Sequence, residues 1–124
     1  EGVGGLYVPL TDSLTLLDYI SRQHYPLIVV SSSRLGSINH TLLTLEVARH
    51  RELEVIGIIY NLDPDTPQEI VDDSQQVFIT FLRRFGFRDA VISMPYIDMQ
   101  QELPDIDFGP LVQSFISQDW KARK

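Results

Sequence analysis

Residues Leu27–Leu43 read LIVVSSSRLGSINHTLL, and their order decides how the rest of the chain is organised. Leu27 to Val30 is a β-branched, apolar run of the kind that forms a strand buried in a sheet. Ser31 to Ser37 then supplies small polar residues around Gly36, and Ile38 begins a helical pattern that carries Leu42, Leu43, Leu45, Val47 and Ala48 as far as Arg51. A strand that turns through such a loop into a helix presents hydroxyls, backbone N–H groups and the positive helix end to one spot, where a carboxylate or phosphate binds well. Arg34 could add charge there. The plainer alternative is that Ser37 or Asn39 caps the helix while Gly36 relieves the turn. His40, near a helix start, reads as a structural hydrogen bonder rather than a base.

Working outward, two further apolar runs, Val55–Tyr60 and Ala90–Met94, have the same strand character and lack internal proline. Helical patterns separate them. Thr15–Gln23 carries Leu16, Leu17, Tyr19 and Ile20, and a third helix is expected to start with Thr66 as N-cap, Pro67 at the first helical position and Glu69 as capping-box partner. Gly86, after Arg83 and Arg84, is its expected end, and a last helix is expected over Phe108–Lys124. Alternating strands and helices imply right-handed crossovers, hence an α/β fold with a parallel sheet covered by helices on both faces. No repeat, low-complexity tract or linker divides residues 1–124, so they are expected to lie in a single domain.

Ligands of such sheets bind beyond the carboxyl ends of the strands. Glu1 to Gly5, EGVGG, has the composition of a strand-end loop whose N–H groups approach an anion and whose carboxylate holds a hard cation, although a glycine-rich turn without ligand reads equally well. No strand precedes it here, and the chain opens without Met, so a larger protein is expected. Asn61 ends the second strand with an amide that offers a heterocycle both a donor and an acceptor. Pro95–Ile97 could form a rigid apolar slot after the third strand. Asp98–Pro110 holds Asp98, Glu102, Asp105 and Asp107, and reads as a solvated acidic loop or one wall of a site.

Composition narrows the classes. The chain is 44% hydrophobic and 22% charged, as soluble domains are, and its net charge of -7 argues against a nucleic-acid partner, which usually meets a basic face. With no cysteine there is no disulfide, thiolate zinc site or thiol nucleophile. No segment reaches the roughly 18 to 20 apolar residues that span a bilayer, and no signal-peptide pattern opens the chain, so a cytoplasmic location is expected. The P-loop pattern G-x-x-x-x-G-K-[ST], a Ser-His-Asp arrangement and H-E-x-x-H are all missing, and no catalytic residue is assigned.

The motifs together resemble the C-terminal half of the dethiobiotin synthetase family. EGVGGLYVPL resembles its E-G-[AV]-G-G segment with the following Pro-Leu, and LIVVSSSRLGSINHTLLT its strand, L-G-x-I-N-H turn and helix. GIIYN resembles the strand that ends in a base-contacting Asn, and MPYI followed by Glu102 a late proline-containing nucleotide loop. The resemblance implies the C-terminal part of a P-loop NTPase-like Rossmannoid domain in a ligase of biotin biosynthesis. That enzyme joins 7,8-diaminononanoate and carbon dioxide to dethiobiotin, with ATP as co-substrate and Mg²⁺ as cofactor, by way of a carbamate and a mixed anhydride.

By the same resemblance, Glu1 would hold Mg²⁺ directly or through water, and Glu1, Gly2, Val3 and Gly4 would line the nucleotide. Asn61 and Leu62 would contact the base, with Pro95, Tyr96, Ile97 and Glu102 completing that pocket. Leu35, Gly36, Ser37, Ile38 and Asn39 would hold the substrate's carboxylate tail across a homodimer interface. The family's P-loop, catalytic lysine and acidic Mg²⁺ ligand match nothing in these residues. The expectation is therefore that the chain pairs with a further half, without which a strand edge and apolar surface would be bare and catalysis absent. A nucleotide-binding or scaffolding domain without catalysis, and a related synthetase for another carboxylate or amine, are the alternative readings.

Overall fold

A computed structural model describes residues 2–98, 100 and 102–118, with side chains assigned as far as residue 113. The elements run in the order β1 (Pro9–Thr11), β2 (Leu14–Thr15), α1 (Leu16–Gln23), β3 (Leu27–Ser32), α2 (Ser37–His50), β4 (Val55–Asn61), α3 (Gln68–Phe85), β5 (Val91–Met94) and α4 (Gly109–Gln118). The three long apolar runs form a parallel sheet in the order β3-β4-β5, and β1 and β2 pair as a small antiparallel ribbon. The fold is α/β and Rossmann-like, as the sequence leads one to expect.

Strand β4 lies in the middle, and five of its seven residues are buried, with Asn61 at its end exposed. On one side Tyr60 meets Phe78 of α3 edge to face, ring centroids 5.3 Å apart, within a core that includes Leu45, Ala48, Ile58 and Leu82. Phe78 and Leu82 belong to a stripe with Val71 and Ser74 at helical spacing, which is the face that α3 buries. At Gly57 a Cβ would stand 2.5 Å from the Ala90 carbonyl oxygen and 2.6 Å from Leu111 Cδ2, so the missing side chain lets β5's lead-in and α4 close on the sheet.

Helix α1 begins with a full capping box: the Thr15 hydroxyl accepts from the Asp18 N–H at 3.2 Å, and the Asp18 carboxylate accepts from the Thr15 N–H at 3.0 Å. The Thr15 hydroxyl also donates to the Asp18 carboxylate at 2.7 Å, and this bond first, then that from the Thr15 N–H, hold the Asp18 carboxyl below the usual carboxylate range. Helix α3 ends at Gly86, as the sequence indicates, but its start differs from the expected one. Pro67 takes the N-cap position with no side-chain cap, and the Thr66 hydroxyl pairs instead with Ser33 Oγ at 2.8 Å. A tertiary partner has displaced the local capping bond.

Two further expectations change. The β1–β2 ribbon is too short to stand out in the sequence. Coverage of both sheet faces fails at β3, where Ile28 is 44% and Val30 62% exposed, because among the described residues β3 pairs with β4 alone and no helix packs over that face of the strand. Helix α4 opens one residue after the expected Phe108; residues 119–124 lie outside the described part. Among the described residues no helix is long and apolar enough to cross a membrane.

Candidate functional site

The carboxyl ends of the three parallel strands finish in one row, since Ser32 is the register partner of Asn61 and Asn61 that of Met94. Backbone bonds extend the row past the strands: Ser33 N–H donates to the Asn61 carbonyl at 3.0 Å, and Leu62 N–H to that of Met94 at 2.8 Å. Asn61, Leu62 and the start of Pro95–Ile97 are thereby neighbours on the rim where sheets of this class take ligands.

Beside this rim, between the N-terminal loop, β3 and the start of α2, lies an open hollow of about 930 Å³ whose wall includes Gly4, Gly5, Ser32, Ser37, His40 and Asn61. It brings together Gly4, Ser37 and Asn61, three of the residues singled out from sequence. Gly36, the N-cap of α2, has φ +88°, a left-handed conformation that a side chain disfavours. It gives the first turn no side-chain cap. Ser37 N–H is taken by the Arg34 carbonyl at 3.1 Å, so a carboxylate at this helix end would meet the N–H groups of Ile38 and Asn39 together with the positive end of the helix. Ser37 is not the cap either: its hydroxyl pairs with Ser32 Oγ at 2.8 Å.

The remaining expected residues fall around the hollow. Leu35 and Asn39 are exposed, whereas Ile38 turns against the core. Val3 is exposed, and Gly2 abuts Leu16 beneath the N-terminal loop. Leu62 is half-buried and packs on the core, and its N–H is already given to the Met94 carbonyl. Pro95, Tyr96 and Glu102 are exposed and Ile97 is half-buried, all outside the wall of the hollow. Glu1, the expected Mg²⁺ ligand, lies outside the described residues. Among the described residues no three His, Asp or Glu side chains gather where a metal ion could sit.

What sequence reading passed over is the division of labour within Ser31–Ser33. Ser31 Oγ bonds Thr41 Oγ1 at 2.7 Å inside the protein, Ser32 bonds Ser37 at the start of α2, and Ser33 reaches across to the loop after β4. There Ser33 Oγ accepts from the Asp63 N–H at 2.7 Å and pairs with Thr66 Oγ1. Arg34 adds an exposed ion pair to Asp63 at 3.4 Å, a contact of small energetic value in water. A run of serines at a strand end was the available signal.

Comparison with known proteins shows the family of the chain. A family model described as an AAA domain matches residues 1–98. An ATP-dependent dethiobiotin synthetase BioD from Chlorobaculum tepidum is 46% identical over 99 residues, covering 80% of this chain and 40% of that protein. BioD 2 of Pasteurella multocida is 48% identical over 85 residues, 68% of this chain and 38% of its own length. A BioD from Lysinibacillus sphaericus is 38% identical over 111 residues, 86% of this chain and 42% of its own. The chain thus spans about two fifths of the length of the curated relatives it matches. It belongs to the AAA-domain family and, within that family, is similar to the dethiobiotin synthetases.

Proposed function

We propose that the chain is the part of an ATP-dependent dethiobiotin synthetase that supplies the base-contacting amide and the loop for the substrate's carboxylate. The observation that carries this reading is the 46% identity over 99 residues to a relative of that name, across a stretch that includes the serine rim and Asn61. The substrates are ATP, carbon dioxide and 7,8-diaminononanoate. The uncapped start of α2 takes the acid's carboxylate, Leu35–Asn39 follow its chain, and Asn61 offers the base a donor and an acceptor. Gly2–Gly4 lie toward the phosphates, with Leu62, Pro95–Ile97 and Glu102 completing the base pocket. Mg²⁺ enters as the companion of ATP, and Glu1 is its one contact from this chain. The open edge of β3, with Ile28 and Val30 bare beside it, is where further polypeptide of the enzyme pairs. A cytoplasmic homodimer with composite sites completes the reading.

Titration calorimetry of ATP into the polypeptide that carries this chain tests the assignment. Asn61→Ala removes two hydrogen bonds to the base and is expected to weaken ATP about tenfold. Unchanged affinity would remove Asn61 from the nucleotide site.

A further inference from the structure

The cations of the described residues are unevenly placed. Arg22, Arg49, Arg83 and Arg84 stand in the last turns of α1, α2 and α3, Arg51 is the C-cap of α2, and Arg88 leads into β5. Each of these helices ends where the next strand of the sheet begins, so all six arginines gather at the amino end of the strands. Arg34, which follows the end of β3, is the exception. Among the described residues it is the only Lys or Arg at the rim where the strands finish. The rim otherwise carries acids, with Asp63 and Asp65 in the loop after β4 and Asp98 after β5. A phosphate or carboxylate arriving there meets repulsion unless a cation answers it.

The Arg34 side chain is 79% exposed and is tied down by one bond, from its Nε to Asp63 Oδ2 at 3.4 Å. Neither of its Nη groups has a partner among the described residues, which leaves open the donor fork that suits carboxylate and phosphate oxygens. Asp63 is held without help from Arg34. Its Oδ1 accepts from the Asp65 N–H at 3.2 Å, and its own N–H donates to Ser33 Oγ at 2.7 Å. The pair thus joins a fixed carboxylate to a loosely held cation, and giving up such an exposed contact for a ligand costs little. Resting on the reading of the rim as the place of ATP and the diamino acid, we propose that Arg34 is a binding residue for an anionic oxygen group of one of them, and that Asp63 holds its guanidinium until that ligand arrives. Arg34 stands between the two subsites: its side chain meets Asp63, two residues beyond Asn61, and its backbone runs into Leu35–Asn39.

The test compares Arg34→Ala and Asp63→Asn with wild type in the polypeptide that carries this chain, by titration calorimetry of ATP and of 7,8-diaminononanoate. Adenosine, and the diamine lacking the carboxyl group, serve as uncharged-end controls. Arg34→Ala is expected to weaken one of the two anionic ligands about tenfold, the worth of a hydrogen bond to a charged group, and to leave its control unchanged. Loss on ATP but not adenosine identifies a phosphate, and loss on the diamino acid but not the diamine identifies the carboxylate. Asp63→Asn keeps an oxygen for the Asp65 N–H yet releases Arg34, so it is expected to tighten the same ligand by up to about fivefold. Added salt should shrink both effects. If wild type binds both ligands and Arg34→Ala weakens neither, or weakens a ligand and its control alike, the inference is overturned while the reading of the rim stands. Weaker binding in Asp63→Asn also overturns it, since Asp63 would then act on the ligand other than by holding Arg34. If wild type binds neither ligand, the reading of the rim has failed and the role of Arg34 falls with it.

Discussion

A single absent side chain at Gly57 decides how tightly the sheet closes. The Ala90 carbonyl that crowds this position is backbone and accepts the Ile58 N–H at 2.9 Å, so it cannot swing away from an added methyl. Gly57→Ala is expected to lower stability by about 1–3 kcal/mol in chemical denaturation, as overpacking does, and a change within 0.5 kcal/mol would show that β5 and α4 yield freely. At this scale the site was only partly legible. Asn61 and Ser37 stood out because an amide at a strand end and a serine at a helix start carry recognisable chemistry. The three serines before Arg34 did not separate from one another, because which of them points inward, along the rim or across to the next loop depends on strand alternation and on the position of Thr66 in three dimensions.

Among the elements, α1 owes its defined start to a carboxylate. Asp18 is held below its ordinary value first by the Thr15 hydroxyl, then by the Thr15 N–H, with Arg51 and Arg22 adding to the effect against some desolvation. A carboxyl lowered in the folded state contributes stability that is present above its unfolded value of about 3.9 and is lost as pH falls through the folded one. Melting curves should therefore show wild type exceeding Asp18→Asn above about pH 4, with the gap closing at lower pH. A gap that stays constant into strong acid would mean that the charge contributes nothing to the cap. Asp89 is lowered in the same direction by its bond to Arg83, so the acid limb of wild type retains a second component. Element type followed from the sequence for the three parallel strands and for α1, α2 and α3, whose apolar periods are long. The start of α3 did not, because Thr-Pro-x-Glu is a local signal and the Thr66 hydroxyl answered to Ser33 instead. The β1–β2 ribbon of three and two residues has too few positions for a period to register.

The described residues bring strand ends, glycine turn and helix start to one rim, and leave β3 as an edge among them with Val30 and Ile28 in solvent. Strand order is what the linear chain states least directly, since runs of similar apolar character do not say which of them is central. Here β4 is central because both neighbours match its register, and that centrality sets Asn61 between Ser32 and Met94. The role proposed for this rim is in an ATP-dependent ring closure. Its most direct test is mass-spectrometric detection of dethiobiotin from 7,8-diaminononanoate, bicarbonate-derived carbon dioxide and ATP, using the polypeptide that carries this chain. Product that requires all three substrates and falls with Asn61→Ala is the predicted result; nucleotide binding with no dethiobiotin formed would contradict it and leave a nucleotide-binding scaffold in its place.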